Sequence, residues 1–264
     1  MGFGIVDLSI VPMRREQSER SEMVSQLLFG ELFEMLETTE KWMYVRSLHD
    51  RYEGWIDRKM GIPVSEEYVA QYCEEDPVLT TEVFNIVTKE GDYGHKLLVA
   101  GSVLPFFDVH TKKMQVGEDV YTLVSKMKEV GIDSLRELLI SYALMYYNTP
   151  YLWGGRSPYG IDCSGLSQMV YRMVGITLPR DASQQVKEGQ DLSFIEEALP
   201  GDLAFFGDDA GVITHVGVIW EQNRIIHASG RVRVDKIDHH GIFNEELKRY
   251  THHLKVIKRI LVED

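Results

Sequence analysis

In the second half of the chain, helical spacing gives way to a long run of strand-like segments, and that order constrains the fold most. From Gly131 the texture changes, and "DSLRELLISYALMYYNTP" sets Leu135, Leu138, Leu139, Tyr142 and Tyr146 at helical spacing. Ser134 and Glu137 make a capping box, and Pro150 marks the stop. A second helix follows in "CSGLSQMVYRMVG", with Leu166, Met169, Val170, Met173 and Val174 on one face and Gly175 near its end. Then come the apolar runs "GDLAFFG", "THVGVIWEQ", "RIIHASG", "RVRVDKI" and "LKVIKRILV". Helices first and an antiparallel sheet afterwards is the order of an α+β domain, expected here over 130–264.

The first half reads differently. Over 1–62, "MVSQLLFG", "ELFEMLETTE", "KWMYVRSL" and "YEGWIDR" are short runs separated by Gly, Asp or charged clusters, the pattern of a small barrel or sandwich. Ile62 to Pro77 reads as a connector with a helical turn. A second short-strand set, "TEVFNIVTK", "HKLLVAGSVLPFFD" and "KMQVGEDVYTLV", predicts a further small barrel, so that 63–129 comprises connector and barrel. A chain of 264 residues is long for one core, which agrees with this division.

The formal charge of −13 argues against a nucleic-acid backbone or an anionic membrane surface as the main partner. No stretch approaches the roughly 20 apolar residues of a membrane span. The N-terminal segment has no basic region, apolar core or small-residue cleavage site of a secretory leader, so a cytoplasmic location is expected. The two cysteines, Cys73 and Cys163, lie far apart without CxxC spacing, which excludes a disulfide framework and a cysteine-based zinc site. The pairs His239–His240 and His252–His253 point their rings in different directions on any regular element and are read as exposed. No metal or organic cofactor is expected.

Cys73, in "VAQYCEED", is given no role. Cys163 is set differently, at the start of a helix behind a glycine-rich loop and an aspartate. Unpaired N–H groups at a helix N-terminus stabilise thiolate over thiol, which predicts a lowered thiol pKa. The same amides, that of Cys163 included, can donate to a developing oxyanion. Gly154, Gly155 and Gly160 are expected to let backbone approach a substrate. Asp162 works against a thiolate. It is either an N-cap or a carboxylate directed at a cationic substrate group, and the residues alone leave both open.

A cysteine nucleophile needs a base, and the base an orienting partner. Of nine histidines, His215 and His227 each sit inside a strand of one predicted hairpin. With Glu221, Gln222 and Asn223 as the connection, Gly217 pairs with His227, and His215 is the diagonal neighbour on the same face. A two-residue loop would put the rings on opposite faces, so an odd-length loop or a bulge is required. Gly217 would leave room for the His227 ring. This assigns His215 as general base and His227 as its orienting partner.

The segments "TPYLWGGRSPYGIDCSGLSQMVYRMVGITLPRDASQQ", "LPGDLAFFG", "ITHVGVIW" and "IIHASG" together resemble the NlpC-type cell-wall cysteine peptidases, a papain-like family, over about 134–240. The resemblance implies Cys163 as nucleophile, His215 as base and His227 as third polar group. The first half, through "RREQSERSEMVSQLLFGE" and "YEGWI", resembles a bacterial SH3-like barrel. The arrangement is similar to γ-D-glutamyl-L-diamino-acid endopeptidases, which act on murein peptides with a free N-terminal L-alanine. In those enzymes the first barrel closes one end of the cleft. The resemblance implies that Asp162 binds the alanine ammonium and that Tyr151, Ser164 and Ser183 line the pocket. It carries Glu22 and Tyr52 over as barrel residues, with Glu19 close to Glu22. An acylated N-terminus would leave buried carboxylates unpaired.

The expected protein is thus α+β, a papain-like domain after one or two SH3-like barrels. Its expected activity is hydrolysis of the γ-D-glutamyl-L-diamino-acid bond of free stem peptides, in murein peptide recycling. Two alternatives stand beside it: a hydrolase of intact peptidoglycan, and a non-catalytic module binding cell-wall peptide. The three-residue set Cys163, His215 and His227 argues against the last. The residues do not distinguish lysine from meso-diaminopimelate.

Overall fold

The computed structural model describes residues 2–126 and 134–261, in two compact units within 1–130 and 131–264. The texture change at Gly131 and the expected boundary at 129–130 lie outside the described residues.

The first unit contains two antiparallel sheets. Strands β1 (Gly2–Ile5), β2 (Ile10–Arg14), β3 (Met23–Leu28), β4 (Leu32–Thr38), β5 (Trp42–Ser47), β6 (Glu53–Asp57) and β7 (Ile62–Val64) form one, in the order β3-β2-β6-β5-β4-β1-β7. Alternation fixes its inner face. In β5 Met43 and Val45 are buried while Tyr44 and Arg46 are half-buried, and Val11, Met13, Leu27, Phe33 and Ile56 complete that core. Because β7 pairs with β1, this sheet runs past the expected end at residue 62. The connector then forms α1 (Glu66–Glu74), capped by Ser65, whose Oγ accepts from the Tyr68 N–H. Cys73 is exposed on it.

Strands β8 (Phe84–Lys89), β9 (His95–Val99), β10 (Lys113–Val116) and β11 (Asp119–Leu123) form the second sheet, in the order β10-β11-β8-β9. Val87, Leu98, Met114 and Tyr121 pack with Ile5, Phe29 and Leu32, so this sheet and the first share a hydrophobic cluster.

The second unit places helices before a closed sheet. Helix α2 (Leu135–Met145) starts at Ser134, whose Oγ accepts from the Glu137 N–H at 3.4 Å. A two-stranded ribbon, β12 (Arg156–Ser157) and β13 (Gly160–Ile161), leads into α3 (Cys163–Met173) and the single turn α4 (Ala182–Gln185). Strands β14 (Gln190–Leu192), β15 (Leu203–Gly207), β16 (Ile213–Glu221), β17 (Arg224–Ser229), β18 (Arg231–Asp238), β19 (Gly241–Asn244) and β20 (Arg249–Arg259) follow. They pair in the order β14-β20-β15-β16-β17-β18-β19, and β19 also pairs with β20, which closes a barrel.

Helix α3 is buried all round, where its sequence suggested a single apolar face. Two of its polar side chains find partners inside. Ser167 Oγ donates to Gln185 Oε1 at 2.6 Å, and Gln168 Nε2 donates to the Leu178 carbonyl at 3.0 Å. Among the described residues, no helix is long and apolar enough to cross a membrane.

Candidate active site

The hairpin of β16 and β17 sets the histidines. Gly217 pairs with His227, as the spacing required, but the connection is a two-residue turn, Gln222–Asn223, combined with a bulge at Trp220. Asn223 takes φ 68 in that turn. The extra residue restores the phase, so His215 and His227 share a face and His215 Nε2 lies 2.9 Å from His227 Nδ1. A Cβ on Gly217 would sit 2.9 Å from the His227 Cβ, so the absence of a side chain there makes room for the ring.

Cys163 opens α3 and is buried. The N–H groups of Val216, the residue after His215, and of Ser164 lie near its sulfur and favour the thiolate. The expected lowering of its pKa does not hold. Burial, then the Asp162 carboxylate, push the thiol up to about 12, and the amides and Arg180 pull only partly back. Burial therefore disfavours the thiolate at this position.

Asp162 is the N-cap of α3, and its Oδ1 accepts from the Gly165 N–H at 2.7 Å. Arg180, itself buried, donates to Oδ1 at 3.0 Å and to Oδ2 at 2.6 Å. The Gly154 N–H donates to Oδ2 at 2.8 Å and Ser164 Oγ to Oδ1 at 3.3 Å. A carboxylate offers about four lone-pair sites, so its acceptors are filled and its charge is matched within the protein. Of the two readings of Asp162, the N-cap is the one seen here. Arg180 was missed in the sequence; the signal was that a buried acid beside a nucleophile requires a cation.

The glycine expectation also changes. A Cβ on Gly155 would lie 2.4 Å from the Gly160 carbonyl oxygen, and one on Gly165 would lie 2.2 Å from that of Gly155. These residues let the loop pack on itself and on α3, rather than opening backbone to a ligand.

Tyr151 is half-buried beside this cluster, its phenol pKa raised chiefly by burial, with the Asp162 carboxylate adding to it. Ser164 Oγ accepts from Arg180 at 2.9 Å. Ser183 is exposed on α4. Glu22 and Tyr52 belong to the first unit: Glu22 pairs with Arg15 at 3.0 Å, and the Tyr52 carbonyl accepts from the Ser47 N–H at 2.9 Å.

Two further side chains complete the histidine cluster. Asp235 of β18 is buried, with Oδ2 3.0 Å from His227 Nε2. His252 of β20 stacks on His215, with centroids 4.2 Å apart and an interplanar angle of 27°. The expectation that His252 is exposed is thereby corrected, while His239, His240 and His253 are exposed. Burial lowers all three cluster histidines, His215 well below the usual imidazole value and His252 to about 4. Nitrogens of His215, His227 and His252 lie within 4.8 Å of one another. Both nitrogens of His227 are already engaged, one by His215 and the other by Asp235.

Residues 148–252 match the NlpC/P60 family, and residues 13–59 match the bacterial dipeptidyl-peptidase Sh3 domain. The chain is 30% identical to "Dipeptidyl-peptidase 6" of Lysinibacillus sphaericus, over 92% of this chain and 95% of that protein. It is 26% identical to a "Gamma-D-glutamyl-L-lysine dipeptidyl-peptidase" of Bacillus cereus, over 79% and 68%. The fold matches the crystal structure of an NlpC/P60 family protein from Bacillus cereus ATCC 10987 with a TM-score of 0.81, at 19% identity, over 98% of this chain and 100% of that one.

Proposed function

This chain belongs to the NlpC/P60 family of cell-wall cysteine peptidases, and from that premise we propose that it hydrolyses the γ-D-glutamyl-L-diamino-acid bond of murein stem peptides with a free N-terminal L-alanine. The second unit is the papain-like catalytic domain of that family, and the first carries a bacterial SH3-like domain. The observation that carries the reading is the cysteine at the N-terminus of α3, packed against the strand β16 that carries His215. The finer specificity is supported by the two relatives, one a dipeptidyl-peptidase matched along nearly its whole length, the other named for a γ-D-glutamyl-L-lysine bond.

In this reading His215 accepts the Cys163 proton as the sulfur attacks the γ-carbonyl of D-glutamate. The Cys163 N–H donates to the developing oxyanion. His215 then protonates the amine of the departing diamino acid, and water hydrolyses the thioester to release L-Ala-γ-D-Glu. Because Arg180 neutralises Asp162, the substrate ammonium meets hydrogen-bond acceptors such as the Tyr151 hydroxyl rather than an unmatched negative charge there.

The test is incubation with L-Ala-γ-D-Glu-meso-diaminopimelate, with its L-lysine counterpart, and with both peptides N-acetylated, products being read by mass spectrometry. Release of L-Ala-γ-D-Glu from the free peptides alone is the expected result. Equal cleavage of the acetylated peptides would replace this reading with that of a wall hydrolase.

A further inference from the structure

β16, β17 and β18 carry three polar side chains that step diagonally across one face. Gly217 opposes His227, and Ile225 opposes Asp235, so His215, His227 and Asp235 are successive diagonal neighbours. Their contacts form a chain: His215 Nε2 to His227 Nδ1 at 2.9 Å, then His227 Nε2 to Asp235 Oδ2 at 3.0 Å. Arg233 holds the far end, with Nη2 donating to Asp235 Oδ1 at 3.0 Å and Nε lying 2.8 Å from Oδ2.

We propose that Asp235 is a positioning residue that decides which nitrogen of both histidines carries the proton, and so leaves His215 Nδ1 bare as the base toward Cys163. The proposal rests on the cysteine-peptidase reading. It follows from donor and acceptor chemistry alone. An ionised carboxylate only accepts, so the contact with Asp235 requires the proton of His227 on Nε2. A neutral imidazole has one such proton, so His227 Nδ1 presents a lone pair. His215 Nε2 must then donate to it, which places the His215 proton there and strips Nδ1. Burial opposes the Asp235 charge, but hydrogen bonds from His227 and Arg233 outweigh it and hold the pKa below the usual carboxylate range. Burial likewise keeps both histidines neutral. With both protons on the other nitrogens, His215 would present an N–H to the thiol, and no base would face the nucleophile.

The experiment is long-range proton–nitrogen correlation of the histidine rings in ¹⁵N-labelled protein at pH 7, alongside steady-state kinetics on the free stem peptide. In the wild type, His215 and His227 are both expected as Nε2–H tautomers. In Asp235→Asn the Arg233 donors claim the amide oxygen, the amide NH₂ faces His227 Nε2, and both rings flip to Nδ1–H. The kcat should then fall by about 10³–10⁴, the scale of a wrong catalytic tautomer, while KM stays within about threefold. Arg233→Gln keeps the carboxylate, so it should retain the tautomers and lose less than about tenfold in kcat.

Wild-type His227 protonated at Nδ1 would overturn the proposal, as would Asp235→Asn with kcat within about threefold of wild type. A loss in Arg233→Gln as large as in Asp235→Asn would also overturn it, by assigning the effect to packing. Nε2–H tautomers in a wild type that cleaves no murein peptide would support the proton arrangement and sink only the peptidase reading.

Discussion

Asp202 and Asp235 are both buried acids on the barrel of the second unit, and they keep different company. Asp202, fully buried just before β15, takes Arg136 Nη1 from α2 at 3.2 Å and Arg259 Nη2 from β20 at 2.8 Å. The same Arg136 donates to the carbonyls of Pro200 and Leu261. Asp235 has one arginine and one histidine. A guanidinium stays charged throughout, so the Asp202 cluster ties helix to sheet without exchanging a proton. An imidazole exchanges protons near neutrality, so the same kind of acid beside His227 governs where a proton resides. The lesson is that a buried carboxylate acquires its role from the cation facing it, more than from its depth.

That contrast can be broken at four points, taken from the largest effect down. Cys163→Ala should lower kcat by at least about 10⁴, or about 5.5 kcal/mol of barrier, with the urea midpoint unchanged. Asp202→Ala should do the reverse. Two buried arginine contacts lose their anion, at a cost of about 3–5 kcal/mol of stability, while kcat per folded molecule is retained. Urea unfolding and active-site titration together check both. Activity lost in step with Asp202 would erase the distinction between the two acids.

Third, stability should depend on pH through the histidines and not through the arginines. Burial holds His215 and His227 below the usual 6.5, with the charges of His227 and His252 adding to it at His215 and Asp235 opposing it at His227. Arg233 also lowers His227, and His252 carries its own lowered value. Both rings are neutral when folded, whereas the unfolded chain takes up protons near pH 6.5. Below that pH the unfolded state binds more protons, so stability is complete above it and falls as pH drops. With His252 included, three such protons set a limiting slope of about 4 kcal/mol per pH unit. Urea titrations at pH 7, 6 and 5 measure the slope, and His215→Gln should make it shallower. Fourth, Gly217→Ala places a Cβ 2.7 Å from Ile225 Cδ1 and 2.9 Å from the His227 Cβ. It should cost about 1–3 kcal/mol and lower kcat by displacing His227, as thermal unfolding and kinetics would show.

Much of the site was legible because its chemistry is local. Cys163 at a helix start, and two histidines in one hairpin, follow from spacing, and a turn or bulge that keeps their faces aligned was demanded before it was located. What stayed hidden depended on partners distant in the chain. Arg180 neutralises Asp162 across 18 residues, while burial and then the Asp162 charge reverse the expected thiol shift. Asp235 lay in a strand that was recognised but whose register was not read. A tight turn at Gly230 sets Arg233 opposite His227 and Asp235 on the diagonal. His252 was read with its neighbour as an exposed pair, yet strand alternation sends one ring inward and the other out. Strand β19, only four residues long, gave no pattern of its own, although its pairing with β20 closes the barrel. In the first half, spacing and composition gave β3 to β6, but not β1, β2 or β7, nor that a second sheet would share the core.

The bulge at Trp220 makes the hairpin of β16 and β17 intolerant of changes in length. Hairpin tips ordinarily absorb insertions and deletions with little harm. Here one residue more or less on the β16 side rotates His227 to the other face while leaving the apolar runs able to pair. Such a change would be quiet in an unfolding experiment and ruinous for proton transfer. Over evolutionary time this loop is therefore free to vary in residue type but bound in residue number, the reverse of what surface turns usually allow.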